Sequence, residues 1–157
     1  MKLLLFLSIS CPLWAQSLQI LPAPASGTNG GAFQIMIVTP KPPSPASLQW
    51  SIRTSDAVTI DVQQITAATS AKEAGKSLTC APAASKDKQI QERKWLCILA
   101  GGLRPIPDGS VALVRFTAAS GSRVLFQIGD ALGASADGKA ITYRGAEASL
   151  PVPNPAK

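Results

Sequence analysis

The sequence predicts an all-β protein, an antiparallel β-sandwich of about eight or nine strands with at most one short helix. Three observations predict it. Apolar residues recur at every second position in Phe33/Ile35/Ile37, Leu48/Trp50/Ile52, Ala112/Val114/Phe116 and Val124/Phe126/Ile128, the period of a half-buried strand. Clusters rich in Gly, Pro, Ser and Asp, such as Pro105-Ile106-Pro107-Asp108-Gly109, separate these runs and turn the chain. Only one stretch has helical character, so there is no helix for each crossover of a parallel sheet.

The 157 residues give room for one domain. A hydrophobic content of 46% supports a packed core, and with aromatics at 5%, Val, Ile, Leu and Ala must fill most of it. The net charge of +6 points to nucleic acid or an anionic surface only where the charge is clustered.

Met1-Lys2 is a minimal positive region, Leu3 to Ile9 an apolar one, and Leu13-Trp14-Ala15 a cleavage tripeptide. These features predict a signal peptide over residues 1–15 and a single exported domain over 16–157, extracellular or periplasmic. Leu13 is larger than a signal peptidase prefers. Lipidation at Cys11, after the small Ser10, is the alternative, with Ser8 where a lipobox carries Leu. No other segment is long and apolar enough to span a membrane.

Taken in order, Leu18-Gln19-Ile20-Leu21 predicts a short edge strand and Pro22 to Gly31 a loop. Phe33, Ile35 and Ile37 mark the next strand, which Thr39 to Pro45 ends as a stiff, proline-rich connection. Leu48, Trp50 and Ile52 face inward, with Ser47, Gln49, Ser51 and Arg53 outward. After a turn at Thr54-Ser55-Asp56, Val58, Ile60 and Val62 alternate as another strand. Ala67 to Gly75 is the one helix, about two turns at most, with Ser70 as its cap and Gly75 as its stop. Leu78 and Cys80 open the next strand, and Ala81 to Arg93 is a solvated connection of mixed charge. Trp95, Cys97 and Leu99 face one way and Leu96 and Ile98 the other, so this strand is apolar on both sides, which predicts a central strand. Val111 to Phe116 and Val124 to Ile128 follow as strands. A loop over Asp130 to Gly138 leads to Ile141 and Tyr143, and Ala146, Ala148, Leu150 and Val152 close the sheet.

Of the three cysteines, Cys80 and Cys97 remain after processing, and an even pair in an exported chain predicts a disulfide. It would close a loop of about 16 residues, worth about 3 kcal/mol in the chain-entropy model. Two buried thiols are the alternative reading.

Histidine is absent, which removes Ser-His-Asp and Cys-His nucleophiles and the commonest zinc ligand. The nine acidic residues are scattered, and no carboxylate pair of a glycosidase can be read from them. The chain is therefore expected to be non-enzymatic, with no catalytic residue, metal or cofactor. Asp108-Gly109 and Asp137-Gly138 are turn dipeptides; calcium at the Asp130 to Asp137 loop is the alternative to a plain turn. Trp50 and Trp95 lie in alternating strands and are expected in the core, not as sugar platforms, and Tyr143 beside Arg144 as an ordinary strand residue. Lys86, Lys88, Arg93 and Lys94 cluster without interleaved aromatics, so no nucleic-acid role is expected.

Three stretches carry a family resemblance. Leu48-Gln49-Trp50-Ser51-Ile52 with Asp56-Ala57-Val58-Thr59-Ile60 resembles the paired early strands of cohesin-like domains, bacterial members of the carbohydrate-binding-like sandwich superfamily. Cys97 to Leu103 with Pro105-Ile106-Pro107-Asp108-Gly109 and Val111 to Phe116 resembles their central turn and following strand. Gly133 to Ile141 resembles their late loop. The resemblance covers most of residues 18–152 and implies a nine-stranded, jelly-roll-like sandwich. In cellulosome scaffolds such domains bind calcium-loaded dockerin modules through a sheet face. The expected function is a secreted module that binds a protein partner, of dockerin type in that family, at a sheet face or loop rim. A carbohydrate-binding module taking polysaccharide, and a structural envelope subunit pairing through an edge strand, are the alternatives.

Overall fold

The computed structural model describes residues 15–24, 30–55, 58–60, 64–83 and 92–154. The expected signal peptide and Cys11 fall before them, apart from Ala15. Among the described residues there are ten strands and one short helix. Strands β1 (Ser17–Ala23), β2 (Gly30–Val38), β4 (Ile65–Ala67) and β7 (Gly109–Thr117) form a four-stranded sheet in the order β1-β2-β7-β4. Strands β3 (Pro45–Ser55), β5 (Ser77–Ala83), β6 (Glu92–Ala100), β8 (Arg123–Ser135) and β10 (Ala146–Pro151) form the second sheet, ordered β10-β8-β3-β6-β5. Strand β9 (Ala140–Thr142) pairs with the far half of β8. Every ladder is antiparallel.

The two sheets bury the alternating residues against each other, as the period requires. Phe33, Ile35 and Ile37 from β2, Leu48, Trp50 and Ile52 from β3, and Val114 and Phe116 from β7 are all buried. The Phe126 ring of the larger sheet lies 4.6 Å from Phe33 and 4.7 Å from Phe116 of the smaller, centroid to centroid. Tilted aromatic contacts at this range add to the area they bury. Strand β1 lies at one edge of the smaller sheet, yet Leu18 N–H donates to the Arg144 carbonyl at 2.8 Å and Arg144 N–H to the Gln16 carbonyl at 2.8 Å. These two bonds close that flank of the sandwich.

One end of the sandwich is knotted by the Pro105–Gly109 turn. Ile106 is fully buried, and its N–H donates to the Pro45 carbonyl at 2.7 Å. The Asp108 carboxylate accepts from Thr39 N–H at 2.8 Å, and its carbonyl accepts from the Ser70 hydroxyl at 3.2 Å. The backbone reverses at Gly109, φ +131°, a conformation open to glycine. Nearby, the buried Lys76 ammonium donates to the carbonyls of Gly101 (2.7 Å) and Gly102 (3.0 Å).

The structure corrects several expectations. Helix α1 spans Thr69–Glu73, but Ser70 does not cap it; Ala68 holds the N-cap position, and the Ser70 hydroxyl is spent on Asp108. Val58 and Ile60 are buried, but that stretch makes only an isolated bridge, Thr59 to Thr117, and Val62 lies outside the described residues. The sheet position is taken instead by Ile65–Ala67, too short to show a period. Asp130 lies within β8, not in a loop, and only the turn around Asp137-Gly138 remains of that expected loop. Ser51 and Thr54, expected outward and in a turn, are buried on β3.

Candidate docking face

The strand expected to be central and apolar on both sides is central, and its second apolar face is open. Strand β6 is interior to its sheet, with Trp95, Cys97 and Leu99 in the core, but Leu96 and Ile98 are 42% and 47% exposed on the other face. A two-layer sandwich has no third layer to cover them. The register sets Ile98 beside Gln49 of β3, Gln49 beside Leu132 of β8, and Leu132, itself 41% exposed, beside Thr142 of β9. On the far side Thr79 of β5 adjoins Ile98. The next row runs Ala81, Leu96, Ser51, Gly129. A shallow depression of about 130 Å³ opens between Ser47, Leu48, Gln49, Ile98, Leu132, Gly133 and Ala134.

Charge enters one row further along, at Lys94, Arg53, Gln127 and Glu147. Between Gln49/Leu132 and Ser51/Gly129 strand β8 carries one residue more than β3. This bulge holds Asp130 at φ +49°. The carboxylate is thereby aimed across β3, where one oxygen accepts from the Ser51 hydroxyl (2.8 Å), Lys94 Nζ (2.8 Å) and Arg53 Nη2 (3.1 Å). The Lys94 hydrogen bond, then that of Ser51, lowers its pKa to about 2 against the opposing effect of burial. Two cations on one carboxylate leave this trio with a net positive charge. Sequence reading missed Leu96, Ile98 and Leu132 as a surface, although a strand apolar on both faces was the available signal.

Of the other candidate residues, only the two cysteines are brought together. Cys80 and Cys97 are opposite one another on β5 and β6 and joined as a disulfide, facing the core next to Trp50. Asp137 bonds the Ser135 hydroxyl and pairs with Lys139 at 3.0 Å, and these contacts, Ser135 first, lower its pKa. Asp130 and Asp137 thus each face cations and hydroxyls of the protein itself. No group of three His, Cys, Asp or Glu side chains suited to a metal occurs among the described residues. Trp50, Trp95 and Tyr143 are buried, as are Phe33, Phe116 and Phe126, so every aromatic side chain among the described residues is internal. The stacking platform that a sugar-binding reading needs is missing there. Lys86 and Lys88 lie outside the described residues; Lys94 is paired to Asp130 and Arg93 is exposed at the strand's end. No described helix is long and apolar enough to cross a membrane.

A flat apolar patch bordered by small uncharged side chains, with ion pairs confined to one row, suits a broad partner surface better than a small molecule in a cleft. Covering Leu96, Ile98 and Leu132, each about half-exposed, would contribute about 1 kcal/mol apiece.

No protein-family model matches the sequence, and comparison with curated proteins finds no match. Solved structures do match. The sixth cohesin of scaffoldin B from Acetivibrio cellulolyticus, in complex with a mutant Cel5 dockerin, superposes with a TM-score of 0.63 at 12% identity, covering 86% of this chain and 96% of that one. A non-cellulosomal cohesin from the archaeon Archaeoglobus fulgidus gives 0.62 at 9% identity, covering 87% and 90%. The cohesin module of a Clostridium perfringens family 33 glycoside hydrolase gives 0.60 at 13% identity, covering 90% and 98%. The fold is that of cohesin domains, in agreement with the resemblance read from the sequence.

Proposed function

We propose that this chain is an exported, non-enzymatic interaction module that docks a protein partner on the outer face of its larger sheet. The observation that carries the reading is the uncovered row through Ile98, Gln49 and Leu132, continuous with Leu96. Exposed apolar side chains gathered on one sheet face are a feature of interaction sites. The cohesin fold supports it, since cohesins of the same architecture have been solved in complex with dockerins. A partner of dockerin type is the family-level expectation. The export segment read from the sequence and the disulfide support a module that works outside the cytoplasm.

The test uses immobilised residues 16–157 and the secretome of the source organism. Saturable capture of a protein, lost in an Ile98→Asp/Leu132→Asp variant whose melting temperature is unchanged, supports the reading. No saturable partner, or equal capture by the variant, overturns it.

A further inference from the structure

We infer that Gln16 becomes the N-terminal residue of the exported chain and closes to a pyroglutamate lactam. The inference rests on the export reading above and adds a covalent modification to it. The tripeptide Leu13-Trp14-Ala15 puts the scissile bond between Ala15 and Gln16. Ala15 is exposed. The attachment of the chain to the sandwich begins one residue later, where the Gln16 carbonyl accepts from Arg144 N–H at 2.8 Å. The residue that this cut uncovers is held to the sheet by its carbonyl, which leaves its amine and side chain free to react with each other.

A terminal glutamine carries its own electrophile. The freed α-amine attacks the side-chain amide carbon Cδ and a five-membered ring closes through a new N–Cδ bond. The Cδ–Nε2 bond breaks, a proton passes from the attacking amine to Nε2, and ammonia leaves. No oxidant, reductant or co-reactant is consumed. Amine and amide belong to one residue, so the reaction is intramolecular and gains from proximity. The Nε2 that departs donates a hydrogen bond to the Lys41 carbonyl at 3.2 Å, a long, exposed contact. Cyclisation trades this bond for removal of the terminal ammonium. That charge would otherwise add to a chain that is already basic. The closed ring also leaves no free amine for an aminopeptidase.

The experiment is mass analysis of the N-terminal peptide from protein recovered after export. It is acid-quenched at collection and spiked with an isotope-labelled linear peptide starting at residue 16. The expected result is an endogenous peptide that begins at residue 16 and is mostly one ammonia lighter than its linear form, while the spike stays open. A Gln16→Ala chain, cut at the same bond, shows no ammonia loss. An open Gln16, or closure of endogenous peptide and spike to the same extent, overturns the lactam and leaves the export reading standing. A chain beginning at Met1, at a lipidated Cys11 or elsewhere overturns the lactam and the cleavage on which it rests.

Discussion

At the residue scale, Asp130 and Lys76 show two ways of handling charge on this fold. Asp130 is half-exposed, and its low pKa, set first by the Lys94 hydrogen bond, makes the folded state bind fewer protons than the unfolded one between the ordinary carboxylate value and about 2. Its contribution is therefore complete above the unfolded pKa and is lost as pH falls through about 2. Solvent screening holds it under about 1 kcal/mol. An Asp130→Asn variant should show a flatter acid limb in urea melts taken between neutral pH and pH 2; an unchanged limb would refute the assignment. Lys76 is buried, and desolvation pulls its pKa below the ordinary lysine value while its ammonium satisfies two carbonyls of the Gly101-Gly102 turn. Lys76→Met keeps the bulk but strips those carbonyls of their donor, an expected loss of about 1–3 kcal/mol in the urea midpoint at constant m-value. Faster amide exchange should then appear at Gly102 and Leu103. Neither arrangement was legible in the sequence. Asp130 reaches Lys94 only because of a one-residue bulge, and such a register irregularity leaves no compositional trace. The burial of Ser51 follows from the same bulge.

At the scale of elements, legibility tracked length and period. Strands β2, β3, β7 and β8 carry at least three alternating apolar residues and were readable from the chain. Strand β4 has three residues and was not. Val58 and Ile60 alternate as a strand would, because they plug the core, but among the described residues only a single bridge accompanies them. Strand β6 was readable as central and apolar on both faces, but not as open on one of them. Periodicity reports which side chains are apolar, not what covers them, so a face left open for a partner has the pattern of a face buried in a core. The disulfide belongs to this scale, because it fastens the edge strand β5 to β6. Replacing both cysteines by alanine should lower stability by about 3 kcal/mol in the chain-entropy picture. A denaturant midpoint indistinguishable from that of the parent would show the bridge to be energetically idle. The exported parent should be two hydrogens lighter than its reduced form.

For the molecule as a whole, the sandwich class, the shortage of helix and the cohesin likeness were all readable, since each depends on pattern summed over many residues. The docking face was not, since it depends on which strands become neighbours. Ile98 and Leu132 are far apart in the chain and meet only through Gln49, a residue with no distinguishing feature in the sequence. Packing between sheets offers one more test at this scale. A Cβ added at Gly31 would run into the ring of Phe116, which is itself buried and packed on Phe33 and Phe126. Gly31→Val should therefore cost about 1–3 kcal/mol or more, read as a drop in melting temperature, with the docking face at the opposite sheet still able to bind.

The closure of one flank by β1 has a mechanical consequence. Ser17 lies beside Val38 and Arg144 at one end of the sandwich, whereas Pro153 shares the opposite end with Pro22 and Ala23. The two ends of the described chain thus leave from opposite poles, about 20 Å apart along β1. Tension applied through them would run along the strand axis and load the seven registered pairs between β1 and β2 together, in shear. A ladder strained in that direction yields only when its bonds fail at once, whereas one peeled from its end gives way pair by pair. A pull along the length of the domain therefore meets the ladder in its stiffer direction, without passing through the open face of the larger sheet.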